Sequence, residues 1–313
     1  MKIISAETVH QVLDYADLVE RLREAFAAVG DMPVRHHHTI PLADQPDATL
    51  LLMPAWREGG QIAIKILSVF PGNAARGLAS ISAQVLVLDG SNGQTLAAIE
   101  GAALTVRRTA AASALAASYL AREDAAHMLM VGAGALGPHL IGAHAAVRPI
   151  KSVAIWNRDP ARAEKLVGQI SEQGLNARLA EDLETEARKA DVISCATMSS
   201  EPLIRGDWLQ PGCHVDLVGA YRPDLRETDD AAILKARVYV DTRGGALKEG
   251  GDIVQPLAAG VINENHIIAD LSDLTRGQKP GRQSPDEITL FKSVGSAIED
   301  LAAAELVVER VGQ

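Results

Sequence analysis

Cysteine is nearly missing from this chain. Only Cys195 and Cys213 occur, too few for a disulfide framework. Cys195 lies inside the apolar run "DVISCAT" and reads as a buried structural thiol. Aromatic residues make up 3% of the sequence, while Ala and Val abound; small aliphatic side chains suit close packing of helices on a sheet. Cations are outnumbered, 30 Lys and Arg against 40 Asp and Glu, for a net charge of −10. That balance argues against nucleic acid as a partner, because phosphate backbones need clustered cations. It leaves room for a small anion in a local basic pocket. No window of ~18 apolar residues occurs, so no membrane span is expected. The longest candidate, Ala110–Ala121, is short and flanked by Arg107, Arg108, Arg122, Glu123 and Asp124. The first residues show no basic region followed by an apolar stretch, so no signal peptide is expected and the cytoplasm is the expected compartment.

The 313 residues, 47% apolar and 22% charged, are enough for two globular domains. The first part reads as helix, then antiparallel sheet. "DYADLVERLREAFAAV" sets Leu18, Leu22, Ala25, Phe26 and Val29 on one helical face. "ATLLLMPAW", "QIAIKILSVF" and "AQVLVLDGSNGQTLAAIE" read as strands, the last a hairpin over "DGSNG". An Ala-rich helix follows, from Leu104 to Tyr119. From Arg122 onward short buried strands alternate with helices: "HMLMV", "SVAIWNR", "ADVISCAT", "CHVDLVGA" and "ARVYVDT". That rhythm implies a parallel, doubly wound sheet. Asp159 and Pro160 mark the start of the helix after "SVAIWNR". The end, "FKSVGSAIEDLAAAELVVERV", reads as helix, with a stripe of Ala297, Ile298, Leu301, Ala304 and Val308 expected to return to the first domain.

Four places point to chemistry. "GAGALG" puts Gly132, Gly134 and Gly137 in the G-x-G-x-x-G spacing between a strand and a helix. The motif is weak by itself in a chain of 26 glycines, but this context is the one in which a dinucleotide pyrophosphate meets a helix N-terminus. The next strand ends in Asn157 and Arg158, where NAD enzymes usually carry an acid; an Asn–Arg pair accepts a 2′-phosphate instead. Lys65 interrupts an apolar strand, and Arg107 and Arg108 open the Ala-rich helix against its dipole. On alternation alone, an outward solvated lysine is an equal reading of Lys65. In "RHHHT" only His36 and His38 share a face of an extended segment. No further ligand stands at zinc spacing, so no metal is expected.

Taken together, "MPAW", "IKILSVFPGN", "LDGSNGQTLA", "LTVRRTAAASALAASYLAR", "VGAGALG", "VAIWNRDPARAEKL", "PGCHVDLVGAYRPDLRETDD", "LKEGGDI" and "ITLFKSVGSAIEDLAAA" resemble the ornithine cyclodeaminase and μ-crystallin family over nearly the whole chain. The resemblance implies an α/β protein with a Rossmann-type NAD(P)-binding domain at 121–289. It also implies a discontinuous α+β substrate and dimerisation domain at 1–120, completed by a C-terminal helix at 290–313, in a homodimer. It places Arg35, Lys65 and Arg108 around a substrate carboxylate, with Tyr221 completing the catalytic set. It implies cofactor contacts from Gly132, Gly134, Ala135, Leu136, Gly137, Asn157, Arg158, Thr197, Val218, Arg108, Thr109 and Lys292. Deaminating members carry an Asp in the turn where Tyr221 stands here, and the turn looks more like that of the ketimine reductases. The expected activity is therefore reduction of 1-pyrroline-2-carboxylate or 1-piperideine-2-carboxylate, with NADP(H) preferred and NAD(H) as the other possibility. Ornithine cyclodeaminase, alanine dehydrogenase and a non-catalytic small-carboxylate binder are the alternatives.

Overall fold

The computed structural model describes residues 1–28 and 32–312. Val29, expected on the apolar face of the first long helix, lies outside the described residues. The chain divides into two compact units, Met1–Arg108 with Ser296–Gln313, and Thr109–Gly295. The division differs from the expected 120/121 and 289/290. One boundary falls inside the helix Gly101–Leu120, and residues 290–292 belong to a strand of the second unit rather than to the last helix. Among the described residues no helix is long and apolar enough to cross a membrane.

The first unit is built on six strands: β1 (Lys2–Ile4), β2 (His36–Ile40), β3 (Ala48–Trp56), β4 (Gln61–Val69), β5 (Ile81–Asp89) and β6 (Thr95–Glu100). β2 to β6 form an antiparallel meander, closed over 90–94 by the expected hairpin turn, and β1 adds in parallel beside β6. Strand alternation gives the sheet two different faces. Met53, Ala55, Ala63, Lys65, Val85, Val87, Ala97 and Ile99 are buried. The residues between them, Leu52, Ile62, Ile64, Ile66, Leu86 and Leu88, are only half-buried. The last helix, Ala297–Gly312, packs on β3, β4, β5 and β6 and on the helix Tyr15–Ala28, which buries Leu18, Leu22, Ala25 and Phe26 as their spacing predicts. Covered from two sides, it is buried from Ala297 through Val307 rather than along a stripe.

The second unit holds eight strands, all parallel: β7 (His127–Val131), β8 (Ser152–Trp156), β9 (Asn176–Leu179), β10 (Val192–Cys195), β11 (His214–Leu217), β12 (Arg237–Val240), β13 (Ile267–Asp270) and β14 (Thr289–Lys292). Their order is β13-β12-β14-β11-β10-β7-β8-β9. The chain order reverses between β7 and β10, the switch point at which open α/β sheets bind ligands beyond their strand ends. β14 corrects the helical reading of "FK": Phe291 and Lys292 finish a strand seated between β11 and β12.

Candidate active site

In the first unit, alternation along β4 turns Lys65 to the same side as Ala63, and only 1% of it is exposed. The outward, solvated reading therefore fails. Its Nζ lies 2.9 Å from Oδ1 and 2.7 Å from Oδ2 of Asp300. Arg108, also buried, donates from Nε to Asp300 Oδ1 at 3.0 Å and from Nη1 to Glu299 Oε2 at 2.6 Å. Glu299 and Asp300 stand in the first turn of the last helix, where carboxylates also complement the helix dipole. Arg35, half-buried just before β2, acts on Lys65 through its charge. Burial pushes the Lys65 amine down to about 8; Asp300 opposes that shift, while Arg108 and Arg35 reinforce it. Lys65 and Arg108 thus meet Asp300 and Glu299 in a desolvated setting, with Arg35 close enough for its charge to be felt. The expected cations are thus brought together, but around two carboxylates that the sequence reading passed over.

The two arginines of "VRR" part company. The helix starts at Gly101, with the Glu100 carboxylate accepting from the N–H groups of Ala102 and Ala103 at 3.1 and 2.7 Å. Arg107 and Arg108 therefore stand in the second turn, not at the opening, and the expected dipole conflict is absent. Arg107 serves structure: it donates to the His10 carbonyl at 2.7 Å and lies 4.6 Å over the Tyr15 ring. His36 and His38 meet edge to face on exposed β2. Among the described residues no group of three or more His, Cys, Asp or Glu could hold a metal.

In the second unit, the glycine turn leaves β7 at the switch point. Gly132 has φ +111°, and a Cβ there would meet the Ala196 carbonyl oxygen at 2.7 Å, so the turn admits only glycine. Space opens over Gly134, where an added Cβ meets nothing within 4 Å. Ala135 is exposed and Leu136 half-buried beside it. The helix from Gly137 has no side-chain cap, which leaves its N-terminus suited to an anion. Gly132, Gly134, Trp156, Asn157, Arg158, Arg162, Thr197 and Met198 line a cavity of about 550 Å³. Its size and glycine-lined floor fit a dinucleotide. Asn157 Oδ1 accepts from the Ala133 N–H at 3.1 Å, while its Nδ2 donates to the Asp159 carbonyl at 2.9 Å. Arg158 is exposed at the rim, and Arg162, which the sequence reading missed, joins it there one helical turn on.

Behind Thr197 sits a second buried cluster that the sequence did not reveal. Glu227 is fully buried, and its carboxylate accepts from Thr197 N and Oγ1 at 2.7 and 2.8 Å and from Gly219 and Ala220 N at 2.8 and 3.2 Å. It thereby ties the chain after β10 to the turn after β11. Burial raises its pKa against the pull of Lys292. Lys292, expected at the cofactor, is fully buried with its Nζ 3.1 Å from Asp252 Oδ2 and 4.0 Å from Glu227 Oε2. Its amine serves this cluster from the end of β14, a strand buried between β11 and β12. Val218 and Thr109 are buried, and the Val218 N–H donates to the Cys195 carbonyl. Tyr221, 37% exposed, ends the Gly219 turn with its N–H on the Gly219 carbonyl.

A family model described as ornithine cyclodeaminase/mu-crystallin family matches residues 1–313. The Delta(1)-pyrroline-2-carboxylate reductase of Colwellia psychrerythraea is 38% identical over 315 residues, covering 99% of this chain and 99% of its own. Among solved structures, that of Thermococcus litoralis Delta(1)-pyrroline-2-carboxylate reductase in complex with NADH and L-proline is similar at a TM-score of 0.93 and 34% identity, over 99% of this chain and 97% of that one. An archaeal alanine dehydrogenase dimer with bound NAD is similar at 0.91 and 28% identity, over 99% and 96%.

Proposed function

The chain belongs to the ornithine cyclodeaminase/μ-crystallin family, and on that premise we propose that it is an NAD(P)H-dependent reductase of a cyclic ketimine carboxylate. Its substrate is 1-pyrroline-2-carboxylate or 1-piperideine-2-carboxylate, and its product the cyclic amino acid. The observation that carries this reading is the buried pairing of Lys65 and Arg108 with Asp300 and Glu299, beside half-buried Arg35. Cations gathered in a desolvated site suit a carboxylate, gripped by charge-assisted hydrogen bonds. Pinning the carboxylate fixes the orientation of the adjoining C=N carbon, from which much of the rate acceleration follows. When bound, the nicotinamide supplies the hydride that this carbon accepts. Lys65, with its amine brought down to about 8, exchanges a proton readily near neutral pH, as protonation of the imine nitrogen requires.

The cofactor we assign is NADPH ahead of NADH. Support comes from Arg158 and Arg162 at the cavity rim and from the amide, not an acid, at position 157. The half-buried apolar face of the six-stranded sheet, with Leu52, Ile64, Ile66 and Leu86, supports a homodimer joined there. The two buried free thiols suit a reducing compartment, and we assign the cytoplasm.

The test is NADPH oxidation with 1-pyrroline-2-carboxylate, set beside ammonia release from ornithine. Ketimine-dependent oxidation without ammonia supports the reductase. Stoichiometric ammonia makes it a cyclodeaminase, oxidation only with pyruvate and ammonium makes it an alanine dehydrogenase, and no turnover with any of them leaves a binding protein.

A further inference from the structure

The geometry points to Asp300 as the positioning residue of this site: its carboxylate holds the Lys65 ammonium in one place and keeps it charged while substrate is gripped. The inference rests on the reading of Lys65 as a carboxylate anchor and gives that anchor a control. Lys65 and Asp300 are 235 residues apart in sequence, yet Nζ reaches both oxygens, at 2.9 and 2.7 Å. Both side chains are almost fully buried, at 2% and 1%. A lysine placed so deeply is driven toward its neutral form unless an anion stands against it.

Among the described residues, Arg108, Arg35 and Glu299 are charged neighbours of Lys65 that make the problem worse or are already engaged. Arg108, from the helix Gly101–Leu120, and Arg35, before β2, both disfavour a charged Lys65. Glu299, the other acid of the last helix, takes Arg108 Nη1 and the Ser296 N–H and hydroxyl. The register partners of Lys65 on β3 and β5 are Met53 and Val85, which carry no charge. Asp300 also accepts from Arg108 Nε at 3.0 Å, so one carboxylate orients both cations at a fixed spacing. A substrate carboxylate then meets two donors already aimed, rather than two that must be ordered on binding.

The experiment is the pH profile of kcat/KM for 1-pyrroline-2-carboxylate in the wild type, Asp300→Asn and Asp300→Glu. Lys65 loses its proton as pH rises through about 8, so activity in the wild type falls along an alkaline limb there. Removing the carboxylate should move that limb down by about one pH unit or more. Asp300→Glu keeps the charge and should hold the limb near its wild-type position while raising KM. NADH binding should stay the same in both. A folded Asp300→Asn whose limb stays in place overturns the proposal. A second measurement needs neither turnover nor a folded Asp300 variant. With 13C-labelled lysine, the Lys65 ε-carbon signal, identified by its loss in Lys65→Met, should report an ammonium at pH 7 in the unmutated protein. A neutral amine there overturns the role of Asp300, whether or not ketimines prove to be the substrate.

Discussion

The side-chain oxygen of Asn157 accepts a hydrogen bond from the backbone N–H of Ala133 at 3.1 Å, so the end of β8 holds the glycine turn in place. Asn157 thus has a structural duty at the position where an acid would read the ribose. On the proposed preference for NADPH, reading the 2′-phosphate would then fall to Arg158 and Arg162, which line the cavity.

Two variants separate these duties. Arg158→Ala should weaken NADPH by tens of fold, on the order of 1.5–3 kcal/mol for one charge-assisted contact, and leave NADH nearly untouched. Asn157→Ala should weaken both cofactors alike, because it loosens the turn that carries their shared pyrophosphate. Fluorescence titration of each protein with each cofactor measures both effects. Equal losses in Arg158→Ala would show that Arg158 does not read the phosphate.

Lys65→Met tests the carboxylate anchor, and the structure changes what it should do to stability. An exposed strand lysine could be removed freely, but this one is the partner of a buried carboxylate. Loss of that partner should cost on the order of 3 kcal/mol, read as a lowered melting temperature. Turnover at low ketimine should collapse, while NADH still binds to the folded variant. Near-normal activity would remove Lys65 from the site.

His214 gives a stability prediction with a definite sign. It is fully buried on β11, with Nδ1 3.0 Å from Thr289 Oγ1. That hydroxyl already donates to the Leu120 carbonyl, so Nδ1 carries the proton and Nε2 has no partner among the described residues. Burial holds the pKa down to about 3, with Asp216 opposing and His144 reinforcing the shift. The unfolded chain takes its proton first, near pH ~6.5. The stability present above that pH is therefore lost as pH falls toward 3, at up to about 1.4 kcal/mol per unit. His214→Asn should melt with a shallower acid slope between pH 7 and 4.5; parallel slopes would count against this assignment.

The parts of this protein that were legible in its sequence are those written in local spacing. The period of two in β3 to β5, the "DGSNG" turn, the strand–glycine–helix unit at Gly132 and the Asp159 cap all sit where their patterns put them. What escaped depends on distant partners. Asp300 flanks the apolar stripe of the last helix, and Glu299 stands on its opposite face, where spacing alone predicts water. Both are buried because Lys65 and Arg108 meet them there. β14 has only four residues, ahead of a helical pattern that absorbs it. Glu227 lies in a polar turn, and nothing local says that four donors converge on it.

On the proposed reading, Tyr221 is the residue that separates reduction from deamination. A cyclodeaminase must hold an α-amine, then help a second amine attack and ammonia leave, and a carboxylate is suited to both because it takes a proton or steadies a cation. Tyr221 puts a phenol there in place of that carboxylate. The turn that carries it is fixed from behind: Gly219 and Ala220 donate to Glu227, and a Cβ on Gly219 would meet the Thr197 carbonyl oxygen at 1.9 Å. A substitution at 221 should therefore change the side chain offered without moving the backbone. The wild type should reduce cyclic ketimines and release no measurable ammonia from ornithine. Tyr221→Asp should impair ketimine reduction, since a smaller side chain leaves the ring loosely posed. It should not install efficient deamination, because a flexible diamine makes demands on more of the site than one residue. Proline and ammonia formed in equal amounts from ornithine by the unmutated protein would reverse the assignment and make the chain a cyclodeaminase.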